Sequence, residues 1–541
     1  MIHFSKLNHQ KTRMLRNNRS NESVIIEQDS LLNHMEWNNQ KSHSNNFYGY
    51  VVAFAAGIGG LLFGYEIGVI GQVLSLDTFC YDFGALAVPL QKDDNGAYLQ
   101  SEYYQTLNQY TTFTFLMGCS IGSVIVAYLA DMIGRRKTIL CSGILFLMGA
   151  IAQSFAPKGP NIHSIFYSGR FVGGVGIGMA SMCVPLYISE TAPTSIRGRL
   201  ITIQQLMITL GILIASIVNA IIISLVEPVT GFLPQELVNG SKGFEWRYAL
   251  AVQMIPALCL IVVMIFMPES PRWLIMNNLQ HEALKTMATL QQLDVTNAAL
   301  VEEFEEMIDM VTTEKLIGSG DWNELISFKI RKRTFITFFL QLFQQWTGIN
   351  VIFYYGPQLL EQMGFEKRTS QIQGAITNNF VNFISTFPGM YFVETFGRRS
   401  LFIWGGIGCF VSQFFLTYVL TMWNQDSSFT NAIALTCICT FTLSFGSTWG
   451  PCAWIYQSEV FPLRVRAKGT GLATFSNWFN GAIVSYLNPV FLKSFPNQVF
   501  AVYGAMDVMA TVFAYLFVPE TMGQSLEDMD AIFQKVPLSD M

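Results

Sequence analysis

Glu66 is an acid in a stretch with almost nothing to pair with it, the run "GGLLFGYEIGVIGQ". A carboxylate in the middle of such a run is costly when ionised, so it needs a cationic partner, a proton or water. Arg170, at the start of "GRFVGGVGIG", is the natural partner, because glycines let two segments approach closely. Desolvation favours the protonated acid and a nearby guanidinium favours the ionised one, so a group alternating between these surroundings takes up and releases a proton. A permanent structural ion pair is the competing reading.

A second set is uncharged. Gln205, Gln344, Gln345, Asn350 and Asn382 are amides within apolar runs, and Trp454, Trp478, Tyr354 and Tyr355 are aromatics in the same surroundings. Amides donate and accept, and indoles add flat apolar walls. Together they complement a ring of hydroxyls such as a sugar presents. Gln345 and Asn350 are five apart and Gln344 is six from Asn350, so a regular helix does not align all three. Gly348 between them permits a local distortion that would. For any one of these amides, plain helix-to-helix adhesion is the alternative.

The elements that hold these residues follow from composition. The 541-residue chain is 51% hydrophobic and only 13% charged, with a mean hydropathy of +0.36. Soluble domains carry roughly 25% charged residues. Stretches such as 201–225, 248–267 and 499–518 are nearly free of charge and long enough to span hydrocarbon as helices. Backbone amides in lipid must pair internally, and these runs are too long for barrel strands, so the spacing predicts a helix bundle. About twelve apolar segments begin near residues 47, 109, 138, 162, 200, 248, 334, 371, 400, 430, 468 and 499. The net charge of −5 includes no block suited to nucleic acid, and the nine cysteines show no metal-binding spacing. No cofactor is implied.

The segment before residue 47 is rich in Asn, Ser, Gln and Lys and reads as a disordered tail without a cleavable signal peptide. The expected division is a tail at 1–46, a six-helix half at 47–267, a linker of surface-lying amphipathic helices at 268–333, a second half at 334–520, and a short tail at 521–541. Arg and Lys concentrate in the loops after even-numbered segments, which places both termini in the cytoplasm. Asn239 begins a glycosylation sequon in the loop on the other side. Asn18 and Asn21 begin sequons in the tail.

The halves repeat one another. "DMIGRR" at Asp131 recurs as "ETFGRR" at Glu394, "YISETAP" at Tyr187 as "YQSEVFP" at Tyr456, and "PES" at Pro268 as "PET" at Pro519. Their order and near-constant spacing indicate a parallel internal repeat of the kind built around a midplane site. Asp131, Arg135, Arg136, Glu190, Arg197, Glu394, Arg398, Glu459 and Arg464 fall at helix ends on the inner face. There they are expected to form inter-helix salt bridges that hold the outward-open state and break when the halves rock.

These repeats, with "PESPRWL" at Pro268, "RGR" at Arg197 and "QQWTGIN" at Gln344, resemble the sugar porter family of the major facilitator superfamily, over about residues 47–525. One departure is Met522, where the family usually has Lys. The resemblance implies an all-α membrane protein with the major facilitator fold, twelve transmembrane helices in two six-helix halves joined by a cytoplasmic helical loop. It implies that the amides and aromatics above are monosaccharide contacts. An acid at the Glu66 position belongs to its proton-coupled members, most of which have Asp there. The resulting expectation is a plasma-membrane carrier, working as a monomer in the lipid bilayer, that moves a hexose such as glucose, fructose or galactose together with a proton. It resembles fungal hexose/proton symporters, and the Glu points to fructose among them. A facilitative uniporter and a non-transporting sugar receptor are the alternatives, the latter disfavoured by the short C-terminal tail. No nucleophile–base pair or phosphate loop suggests an enzyme.

Overall fold

The computed structural model describes residues 47–86, 101, 103–192, 197–226, 244–318, 320–363, 365–366, 369–423, 428–523, 529 and 532–533. The three sequons and both tails, apart from a few C-terminal positions, lie outside this set, as does the side chain of Arg197.

The described chain is helical throughout its apolar segments. The first half comprises α1 (Phe47–Val73), a short α2 (Asp77–Asp82), α3 (Tyr103–Ile133), α4 (Arg135–Ser154), α5 (Ile162–Thr191), α6 (Arg197–Val226), and α7 (Glu245–Val252) running into α8 (Met254–Phe266). Next come α9 (Pro271–Met276), α10 (Gln280–Gln291) and α11 (Ala298–Ile317). These share a separate apolar cluster of Leu274, Ile275, Met287, Leu300 and Phe304. The second half comprises α12 (Arg331–Trp346), α13 (Ile349–Gln362), α14 (Ala375–Thr395), α15 (Arg398–Met422), α16 (Ser428–Ser447), α17 (Trp449–Val460), α18 (Leu463–Ser494) and α19 (Val499–Phe517).

With α7–α8, α12–α13 and α16–α17 each counted as one broken span, these make twelve membrane helices. Nine spans among the described residues are long and apolar enough to cross a bilayer on composition alone. The other three are α12–α13, interrupted at Gly348, and α14 and α18, whose inner faces hold Asn378, Asn379, Asn382, Asn477 and Asn480. The spans that look least like membrane helices are therefore those richest in buried amides. Helix starts lie within a few residues of the apolar boundaries. The largest discrepancy, Tyr103 against an expected 109, arises because polar "YYQTLNQ" forms the first turns of α3.

Close packing between helices depends on glycine. A Cβ at Gly64 on α1 would come within 2.7 Å of the Ile208 carbonyl carbon on α6, and Gly211 on α6 faces α1 in the same way. Gly64→Val is expected to destabilise the protein by about 1–3 kcal/mol through forced separation of α1 and α6. Thermal unfolding of the detergent-solubilised protein measures this, and an unchanged midpoint would contradict the packing described.

The repeated motifs fold alike. Gly134 and Gly397 have φ of 96° and 80° and precede α4 and α15. Glu269 of "PES" accepts from the Arg136 backbone N–H at 3.0 Å, and Glu520 of "PET" accepts from those of Arg398 and Arg399 at 2.9 and 3.0 Å. Both carboxylates thus cap the positive end of a span.

The halves meet across α1 and α13, α3 and α18, and α6 and α14. At the end opposite the GRR motifs they are joined directly. Gln358 donates to the Tyr104 hydroxyl at 2.7 Å, Gln371 donates to the Ser75 carbonyl at 2.9 Å, and Gln109 donates to the Tyr486 carbonyl at 3.0 Å.

Candidate functional site

Gly348, with φ of 83°, ends α12 and starts α13. The break brings the Asn350 amide to the Gln345 side-chain oxygen, a contact that five residues of regular helix would not allow. Gln345 in turn donates to Asn477 Oδ1 on α18 at 2.8 Å, and Asn477 donates to both Gln344 and Gln341, the latter at 2.6 Å. Gln344 donates to the carbonyls of Trp449 and Gly450 at the α16–α17 break, at 3.1 and 3.2 Å. Gln341 continues the network to Gln457 at 2.9 Å. The result is a buried chain of amides drawn from α12, α13, α17 and α18 of the second half.

Residues of the first half face it. Gln205 on α6 is half-buried beside Gly450, where a Cβ would stand 3.5 Å from its amide nitrogen. Trp478 on α18 is fully buried, donates to the Ser181 hydroxyl on α5 at 3.1 Å, and meets Phe63 of α1 edge-on at 4.9 Å. Tyr355 donates to the Ser485 carbonyl at 3.0 Å and lies 3.3 Å from the Thr112 hydroxyl on α3. Asn382 on α14 is buried against Gly446, and Trp454 is half-buried on α17. The two are not linked to the amide chain by any hydrogen bond among the described residues.

Glu66 and Arg170 form an ion pair, each only 1% exposed. The pair is incomplete in an informative way. Arg170 also donates to the Thr111 carbonyl at 3.1 Å, reaches Gln153 at 3.5 Å, and lies over the Phe115 ring at 4.5 Å. One oxygen of Glu66, Oε2, has no hydrogen-bond partner among the described residues. Tyr354 from the second half faces Arg170, and its buried hydroxyl is likewise unpartnered among them. Phe63, three residues before Glu66 on α1, touches Trp478, so the ion pair lies next to the amide set rather than within it.

At the GRR end, Arg135 pairs with Asp131 at 3.0 Å and Glu190 at 2.9 Å. Arg398 binds Glu459 through two nitrogens, the shorter contact 2.6 Å. Arg136 reaches the Met267 carbonyl at 3.1 Å. Two expectations change here. Glu394 is exposed and forms no ion pair among the described residues, although it repeats Asp131 and although Arg398 makes the same contacts to a carboxylate and a carbonyl, Glu459 and Val393, that Arg135 makes to Glu190 and Ala130. Arg464 pairs with Glu324 in the turn before α12, at 2.6 Å, rather than with another span. The ion pairs of Arg135 and Arg398 do not cross between the halves. Each instead ties together helices of its own half.

A family model described as "Sugar (and other) transporter" matches residues 52–533. The chain belongs to this sugar transporter family. It is 30% identical to hexose transporter HXT9 of Saccharomyces cerevisiae, over 89% of this chain and 82% of that one. It is 32% identical to the probable glucose transporter rco-3 of Neurospora crassa, over 90% and 79%. Among solved structures it matches the proton:xylose symporter XylE bound to 6-bromo-6-deoxy-D-glucose, with a TM-score of 0.73 and 27% identity, covering 90% of this chain and 100% of that one. A partially occluded inward-open structure of XylE from E. coli gives 0.70 and 26%, covering 88% and 100%. This sugar transporter thus has the twelve-helix major facilitator fold and is a transport protein, not an enzyme.

In this transporter the sequence left Asn477, Gln341 and Gln457 unassigned. Gln341 lies one turn before Gln344 and Gln345, so helical spacing was the available signal for it, whereas Asn477, next to Trp478 in the chain, falls on a different face from it. A small cavity of about 20 Å³ between α1, α13, α14 and α16 is lined by Gln72, Asn378 and Asn379 and by none of the expected sugar residues.

Proposed function

We propose that this sugar transporter carries a hexose by proton symport across the plasma membrane, with both termini and the 268–333 segment in the cytoplasm. The carrying observation is the gathering of Gln344, Gln345 and Asn350 at the Gly348 break, opposite Gln205, with the buried Glu66–Arg170 pair alongside. Amides held by one another exchange those bonds for sugar hydroxyls at small net cost, because each lost bond is replaced in kind. The relatives named as hexose and glucose transporters support the substrate class, and the proton:xylose symporter supports coupling. Glu66 is one methylene longer than Asp, and its free oxygen gives a proton a place to bind when the contact with Arg170 loosens.

The substrate is tested by counterflow in proteoliposomes, with labelled hexose inside the competition of a panel of unlabelled monosaccharides. Saturable exchange competed by at least one hexose is expected. Failure of every monosaccharide to compete would overturn the assignment.

A further inference from the structure

A second acid lies inside the membrane helices, and proton exchange at Glu66 leaves it unused. Asp507, on α19, is 1% exposed and takes part in no ion pair among the described residues. Its Oδ2 accepts from Gln413 of α15 at 3.1 Å, while its Oδ1 has no hydrogen-bond partner among those residues. Gln413 uses the same amide nitrogen to donate to the Thr347 carbonyl at 2.8 Å, and its own oxygen is also unpartnered. Thr347 is the residue at the end of α12, directly before Gly348. One turn earlier on α19, the Tyr503 ring covers Gly348 so closely that a Cβ there would stand 2.8 Å from Tyr503 Cγ. Two residues on one face of α19 therefore support the break that brings Gln345 and Asn350 together.

An ionised carboxylate only accepts hydrogen bonds, and one buried in a membrane helix with a single donor is expensive. A protonated acid can donate. With a proton on Asp507, its hydroxyl and the free Gln413 oxygen become a matched donor and acceptor, and the Gln413 nitrogen stays on Thr347. Cys409, one turn before Gln413 on α15, is the titratable side chain that faces Asp507.

We infer that Asp507 is a neutral, hydrogen-bonding acid which, through Gln413, fixes the open turn at Thr347–Gly348 and so positions the sugar-binding amides. It acts through Gln413 and is a positioning residue. The inference rests on the sugar-transport reading above.

The test compares Asp507→Asn, Asp507→Leu and Gln413→Leu in the full-length protein reconstituted into proteoliposomes, with membrane amounts matched. Asp507→Asn, which preserves donor and acceptor without charge, is expected to keep half-saturation within about twofold of wild type. Asp507→Leu and Gln413→Leu should each raise it about tenfold with a smaller change in maximal rate, the range expected when one buried hydrogen bond is lost. The double Leu variant should be no worse than either alone. Gln413→Leu stands in if Asp507→Leu does not fold. Infrared spectra supply a readout independent of sugar. Wild type should show the carbonyl band of a buried protonated carboxylic acid, missing from Asp507→Asn. Asp507→Asn failing as badly as the Leu variants, no such band in wild type, or unchanged half-saturation in Gln413→Leu would overturn the inference. Wild type that exchanges no monosaccharide would instead sink the sugar reading itself.

Discussion

Arg170→Leu is expected to abolish uptake and lower stability by about 3–5 kcal/mol, the cost of leaving a buried charge uncompensated. The Glu66 carboxylate would keep its burial and lose its cation. Arg170 would take with it the bond to the Thr111 carbonyl and the contact with Phe115. Arg170→Lys should not rescue transport, because an ammonium cannot present the planar fork that serves Glu66, Thr111 and Gln153 together. The double variant Glu66→Leu/Arg170→Leu separates the two losses. Replacing both members of a buried pair is often neutral for stability, so the double variant should fold while remaining uncoupled. Thermal unfolding and uptake, measured side by side, check both. An Arg170→Leu protein as stable as wild type would contradict the buried-pair account.

Gln345→Ala carries the second large effect. Gln345 is the joint of the amide chain, accepting from Asn350 and donating to Asn477. Its removal costs a sugar bond of about 0.5–1.5 kcal/mol and leaves two buried amides short of a partner, at about 1–3 kcal/mol more. The expected outcome is a half-saturation raised about ten- to a thousandfold, since each 1.4 kcal/mol is a factor of ten. Asn477→Ala should fall in the same range, although nothing in its local surroundings along the chain singles it out. Initial uptake rates over a range of sugar concentrations measure both. A Gln345→Ala variant with wild-type half-saturation would remove the amide chain from the binding site.

Legibility in the sequence followed the physics of each feature. Glu66 and Arg170 were visible because a charge within an apolar run is rare and must be answered. Gly348 was visible because five-residue spacing and a glycine together predict a distortion, and the φ of 83° is that distortion. Asn477 was not, because a lone amide in a span has no local signature, and its role comes from a neighbour more than a hundred residues away. Asp507 escaped for the opposite reason: its span is so apolar that a lone acid did not change the reading of the segment. Glu394 misled because a repeated motif predicts a repeated contact, and here the Asp131–Arg135 pair has no counterpart among the described residues. Glu269 and Glu520 were read as motif letters, and only the fold shows them capping helices.

Coupling through Glu66 is tested most directly by sugar uptake into proteoliposomes with an imposed inward proton gradient, comparing wild type with Glu66→Gln. Wild type should concentrate the hexose above its outside level and alkalinise the medium as it does so. Glu66→Gln should still exchange hexose at equal concentrations yet fail to accumulate it or move protons. Accumulation that persists in Glu66→Gln, or a wild type that only equilibrates the sugar, would contradict proton symport through this residue and leave a facilitative uniporter with a structural ion pair.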